Sequence, residues 1–356
     1  MKKTRTTKKI HPTPKHIPTL RQVELEVLPG LEPEAMDEVR ELLGPEGLDA
    51  AIVGAGAIQV TTREFKKLHT LRTVVAVYGI CRLMVPRPGT LLGVEYRALL
   101  VGFLKQIVAL SEFRSFRISA AGKDSSVFQD LRTILERELR LKHDPEEGDL
   151  LLRFRPSPEG GWDVLGRTTP RPLSVRSWRT VDMPGALNAT IAAAMVRHLS
   201  APAGAPWLNI CSGSGSLLIE GKSRHPSLKA IGVEVDRRRI GLGSQNIAAA
   251  RNEEGITSVR ADGGTLPMRS ESIHAIVADL PWGERVGRRA DNHVLYSRIL
   301  AEASRVLLPR RRMQLITQDG EALERALQSR PELRITQARE VFQKGYQPTW
   351  FEVVKG

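Results

Sequence analysis

Near its start the chain switches from strand to helix periodicity within about twenty residues. Val23, Leu25 and Val27 alternate with polar neighbours, as on a half-buried strand. Pro33 suits a first helical turn, and Ala35, Met36, Val39, Leu42 and Leu43 share one apolar face that ends at Gly44. "AIVGAGAIQVTT" predicts a hairpin around Gly54–Gly56, followed by a helix near "REFKKLHTL" and a strand near "TVVAVYGICRLMV". Residues 21–90 therefore read as a small α+β domain.

A second unit is expected over residues 91–168. "EYRALLVGFLKQIVAL" reads as a helix, "FRSFRISAAG" as a strand and "SSVFQDLRTILERELR" as a strongly amphipathic helix. Val127, Phe128, Leu131, Ile134, Leu135 and Leu139 line its apolar face, and Ser126 and Gln129 have the spacing of a capping box. "GDLLLRFRPSPEGGWDVLG" supplies two more strands about a turn. The Pro- and Arg-rich "RTTPRPLSVRSW" marks a linker near 169–180. Over 181–356 strands alternate with helices, in "APWLNICS", "KAIGVEVD", "ITSVRAD" and "IHAIVADL". This pattern predicts βαβ units on a parallel sheet. Two strands around "KGYQP" close the chain.

Charge narrows the partner. Lys and Arg number 53 against 40 Asp and Glu, a formal net charge of +13, which points to a polyanion and above all to nucleic acid. Arg114, Arg117, Lys123, Arg153 and Arg155 cluster on the second unit and together make a phosphate-tracking face. Residues 1–20 hold six Lys/Arg and no acid, without an apolar signal core, and read as a basic disordered tail. Two cysteines, Cys81 and Cys211, exclude a disulfide framework and point to a reducing compartment, the cytoplasm. No Cys/His cluster has metal-ligand spacing, and no run of eighteen apolar residues suggests a membrane span, so neither metal nor membrane is expected. The protein is expected as a monomer.

Candidate chemistry collects in the C-terminal half. Gly213 and Gly215 stand between a strand and a helix, where glycine lets a ligand approach backbone N–H groups. Glu234 ends the next strand, placed to accept hydrogen bonds from ribose hydroxyls. Asp262 and Gly263 follow the third strand, and Asp279 the fourth. Acids and glycines after strands also cap helices, but four in this order resemble a class I S-adenosylmethionine-dependent methyltransferase over about residues 180–356. That resemblance implies a Rossmann-like seven-stranded sheet, with "GYQPTWFEVV" as the antiparallel last strand. Two positions depart from the family pattern: Asn209 stands where an acid is common, and Cys211 where the first glycine is common. The resemblance still implies that Asn209 hydrogen-bonds the methionine part of the cofactor and that Cys211 lies at the cofactor loop.

"DLPW", Asp279, Leu280, Pro281 and Trp282, resembles the (Asp/Asn)-Pro-Pro-aromatic motif of methyltransferases acting on planar conjugated nitrogens. Asp279 and the Leu280 carbonyl would accept the amine hydrogens, Pro281 would fix the carbonyl and Trp282 would stack on the base. The N-terminal half resembles a ferredoxin-like domain followed by a THUMP RNA-binding domain. Together these imply a tRNA (guanine-N2)-methyltransferase in which Arg285, Arg288 and Arg289 hold flanking phosphates. The alternatives are a ribosomal RNA guanine-N2 methyltransferase, a THUMP RNA-binding protein with an inactive methyltransferase domain, and a DNA adenine methyltransferase.

Overall fold

The computed structural model describes residues 16–251, 253–283, 288–343 and 345–356, and the chain divides into two compact units. Of the described residues, the first comprises those up to Glu26, Glu38–Leu71 and Ala76–Leu173; the second comprises those of Val27–Asp37, Arg72–Val75 and Ser174–Gly356.

After β1 (Gln22–Glu26) of the first unit comes α1 (Glu32–Leu43), which the division cuts between Asp37 and Glu38; Ala35, Met36, Val39 and Leu43 are buried and Leu42 half-buried. The predicted hairpin is β2 (Ala51–Gly54) and β3 (Ala57–Thr61), turning through Gly56 at φ +73°. There follow α2 (Phe65–Leu68), β4 (Ala76–Leu83), α3 (Val94–Val108), β5 (Ser115–Ala120), α4 (Ser126–Leu139), β6 (Lys142–His143), β7 (Leu150–Pro156) and β8 (Trp162–Arg167). The strands form an eight-stranded sheet in the order β2-β3-β1-β4-β8-β7-β5-β6. The two modules read separately over 21–90 and 91–168 are therefore continuous, because β8 pairs antiparallel with β4.

The capping box is not formed. The N-cap of α4 is Ser125, so the third helical position is Phe128, whose side chain cannot reach back to the cap amide. Gln129 instead donates its side-chain amide to the Asp124 carbonyl at 3.1 Å.

The second unit contains α5 (Ala189–Arg197), β9 (Pro206–Ile210), α6 (Ser216–Arg224), β10 (Lys229–Glu234), α7 (Arg237–Ala249), β11 (Ile256–Arg260) and β12 (Ile273–Asp279). It ends with α8 (Asn292–Val306), β13 (Leu307–Thr317), α9 (Gly320–Gln328), β14 (Leu333–Glu340) and β15 (Thr349–Lys355). Its seven-stranded sheet has the order β11-β10-β9-β12-β13-β15-β14. The strands from β11 to β13 run parallel, while β15 lies antiparallel between β13 and β14, as the resemblance implies. Strand order reverses between β9 and β12, and the crevice beyond the carboxyl ends at such a reversal is where open α/β sheets bind ligands. Beneath it, Leu208, Ile210, Ile276, Ala278, Tyr296, Ile299 and Leu315 belong to one buried core. Among the described residues no helix is long and apolar enough to cross a membrane.

Candidate active site

Beyond β9 the backbone turns left-handed three times, at Cys211 (φ +58°), Gly213 (+48°) and Gly215 (+78°), before α6 begins. Glycine adopts such angles without cost, whereas a Cβ at Cys211 costs about 1–2 kcal/mol. The family's preference for glycine at that position thus has a visible reason here. Burial first, and the neighbouring Glu234 and Asp279 carboxylates second, push the Cys211 thiol up to about 12. It stays protonated near neutrality and is a poor nucleophile.

Glu234 ties this loop to the end of β10. Its Oε2 accepts from the Gly213 N–H at 3.0 Å, and its Oε1 from the Val235 and Asp236 N–H groups at 3.0 and 3.1 Å. Asp236 caps α7 by accepting from the Arg238 and Arg239 amides, the ordinary structural use of an acid after a strand.

At the end of β12 the DLPW backbone is held by buried groups. The Leu280 N–H donates to the Ile316 carbonyl at 2.9 Å. The Tyr296 hydroxyl donates to the Pro281 carbonyl at 2.5 Å and lies 2.7 Å from Thr317 Oγ1. Asn292 donates to the Trp282 carbonyl at 3.2 Å and to Asp319 at 3.0 Å. None of these bonds takes the Leu280 carbonyl. Asp279 accepts from the Trp282 indole N–H at 3.2 Å. Desolvation raises the Asp279 carboxyl to about 7, the indole hydrogen bond opposing it only in part.

A cavity of about 280 Å³ joins these loops. Of the residues expected at the site, Cys211, Gly213, Glu234, Asp279, Leu280, Pro281 and Trp282 line it. Gly215 forms the left-handed entry to α6 behind the loop. Asn209 is not on the cavity wall: it is fully buried, its side-chain amide donates to the Ile210 and Val277 carbonyls, and its Oδ1 has no hydrogen-bond partner among the described residues. Asp262 and Gly263 are not on the cavity wall either. The Gly264 N–H, then Arg298, hold Asp262 below the ordinary carboxyl range, and a Cβ on Gly263 would meet Ile210 at 2.8 Å. Unanticipated lining comes from Met183–Leu187, Gln343 and Tyr346, whose ring centroid lies 5.6 Å from that of Trp282. The turn residues of "MPGA" and "KGYQP" were the sequence signals of these segments.

The expected basic face is smaller than its sequence count. Arg153 pairs with Glu26 and lies over the Tyr78 ring, and Arg155 pairs with Glu24. Arg117 donates to the Glu146 carbonyl at 2.7 Å. Arg114 and Lys123 are exposed, as is Arg288, which pairs with Asp291. Arg289 lies 3.8 Å from Asp319, and Arg285 lies outside the described residues.

The lining fits S-adenosylmethionine. Glu234 keeps one lone pair, on Oε2, beyond its three backbone bonds for a hydroxyl donor, while Met183, Leu187, Leu217 and Val235 give apolar walls. Among the described lining residues, two carboxylates against one guanidinium, Arg239, suit a cationic sulfonium better than a diphosphate.

Residues 176–349 match the RMKL-like methyltransferase domain of the UPF0020 family. A Thermus thermophilus tRNA (guanine(6)-N2)-methyltransferase is 32% identical over 206 residues, 57% of this chain and 60% of that protein. The human tRNA (guanine(6)-N(2))-methyltransferase THUMP3 is 31% identical over 40% of this chain and 31% of its own length. The alignments thus span less than two thirds of these relatives. The crystal structure of TrmN from Thermus thermophilus superposes with a TM-score of 0.75 at 25% identity, covering 94% of this chain and 99% of that one. The match over residues 176–349, the strand order and the cavity at the strand reversal agree: the C-terminal unit carries a class I, S-adenosylmethionine-dependent methyltransferase domain similar to the UPF0020 family.

Proposed function

We propose that the protein transfers a methyl group from S-adenosylmethionine to the exocyclic N2 of a guanosine in tRNA. The observation that carries this reading is Asp279, a desolvated carboxylate on the cavity wall followed by a backbone locked through Leu280, Pro281 and Trp282. Bound in the cavity, S-adenosylmethionine supplies an electrophilic methyl group. Asp279 and the Leu280 carbonyl accept the two amine hydrogens and orient a lone pair that the conjugated ring would otherwise withhold. Pro281 fixes φ, and the Tyr296 and Asn292 bonds keep the two following carbonyls turned away. With its carboxyl raised to about 7, Asp279 takes up the proton released after alkylation near neutral pH.

A guanosine in a stem must be extruded to reach such a cavity, and Trp282 with Tyr346 offers aromatic surface for it. The N-terminal unit reads as a ferredoxin-like domain over 21–90 followed by a THUMP module over 91–168, holding the tRNA acceptor end. Arg114 and Lys123 there, with Arg288 near the site, serve as phosphate contacts. The similarity to TrmN over 94% of the chain supports this whole-length reading. The reading includes a cytoplasmic location, a monomeric state and no metal.

The test is methyl transfer from labelled S-adenosylmethionine to tRNA, ribosomal RNA and DNA, followed by nucleoside analysis. Label in N2-methylguanosine from tRNA is the expected result. Label in ribosomal RNA alone, or in N6-methyladenosine, overturns it.

A further inference from the structure

The cavity wall between β14 and β15 carries polar groups, Gln343 among them, that the transfer step above leaves unused. Gln343 and Tyr346 exchange backbone hydrogen bonds at 2.9 and 2.8 Å, with Gly345 at φ +85° in the turn between them. Opposed residues of such a bridge project their side chains to the same side. Both residues line the cavity with Asp279, Leu280, Pro281 and Trp282. The turn is anchored on both sides: the Phe342 N–H donates to the Pro29 carbonyl and the Val341 N–H to the Pro348 carbonyl, each at 2.9 Å. Gln343 Oε1 is buried and, among the described residues, has no hydrogen-bond partner. Buried acceptors are seldom left unmatched, because nothing offsets their lost hydration.

We propose that Gln343 is the specificity-determining residue for the base, its side-chain oxygen accepting the ring N1–H that lies beside the target amine; this rests on the guanosine-N2 reading above. Guanine carries a donor at the ring nitrogen adjoining its amine on the Watson–Crick edge. Adenine and cytosine carry an acceptor at the corresponding place. An acceptor on the wall of the cavity that Asp279 also lines therefore matches guanine and opposes the other two amines. Tyr346, tilted at 53° to Trp282, confines the base plane so that the edge meets Gln343.

The experiment compares full-length protein on tRNA carrying either guanosine or 2-aminopurine at the nucleotide that the wild type methylates. 2-Aminopurine keeps the 2-amino group and replaces the N1 donor with an acceptor. The wild type is expected to transfer methyl to it at least about tenfold more slowly in kcat/KM, and Gln343→Ala to shrink that ratio below about threefold, mostly by slowing guanosine. Gln343→Glu keeps an acceptor, loses the amide donor and is expected to retain the ratio. An equal ratio in wild type and Gln343→Ala overturns the assignment, as does a wild type that does not discriminate. Loss of the ratio in Gln343→Glu moves the contact to the amide nitrogen and overturns it too. A wild type that methylates no guanosine at all overturns the guanosine-N2 reading itself, an outcome distinct from the others.

Discussion

The two units use the same residue types to opposite ends. On the sheet of the N-terminal unit, Arg82 and Arg155 stand across from Asp163 on neighbouring strands, and Arg155 also grips Glu24. Tyr78 donates to Glu26, which Arg153 also binds. Acids and bases there satisfy one another across strands, and such pairs contribute to sheet stability rather than chemistry. At the strand ends of the C-terminal unit, Asp279 has the Trp282 indole for a partner, and burial raises it to about 7. A carboxylate whose desolvation is left uncompensated is poised to take a new donor. The difference is made by partners, not by residue identity.

The largest effect expected from breaking this contrast is at Asp279. Asp279→Asn should lower methyl transfer by about a thousandfold or more while cofactor titration stays near wild type. A carboxyl held above its ordinary value opposes folding as pH climbs from the usual carboxyl range to about 7, and that cost persists above. The variant should therefore unfold at higher temperature than wild type at alkaline pH, with the difference vanishing at acid pH; calorimetry across pH reads this directly. Next comes Glu234→Ala, which removes the acceptor joining the glycine loop to β10. Cofactor affinity should fall about tenfold or more by calorimetric titration, with RNA affinity unchanged.

On the paired side of the comparison, Glu24→Gln should lower stability by about 1–3 kcal/mol, read in the denaturant midpoint, because Arg155 loses the nearer of its two carboxylate partners and keeps only Asp163. The smallest change expected is a gain. Cys211→Gly relieves a left-handed angle and should stabilise the C-terminal unit by about 1 kcal/mol in the same measurement.

Periodicity carried most of the fold because each strand and helix of the C-terminal unit buries one face against a shared core. The order of Gly213, Glu234 and Asp279 made the site legible, since a parallel sheet brings successive strand ends to one crevice. Asn209 and Asp262 lie off the cavity wall, because a position near a strand end does not determine which way a side chain turns: the Asn209 amide turns into the sheet and Asp262 into its own turn. Gln343 and Tyr346 arrive from a hairpin more than sixty residues beyond Asp279, and no local pattern reports a tertiary approach of that kind. The capping box failed by a single residue of helix register, and Arg153 and Arg155 found partners on β1 that spacing along the chain does not reveal.

The central claim, that a desolvated Asp279 governs the chemistry, is most directly tested by the pH dependence of kcat/KM for methyl transfer by the full chain, which reports the free enzyme's ionisations. Because the Asp279 carboxylate must be ionised to accept the amine fully, the rate should be low at acid pH and rise through a midpoint near 7. A profile flat from about pH 5.5 to 8.5, or one whose midpoint sits at an ordinary carboxyl value, would contradict it.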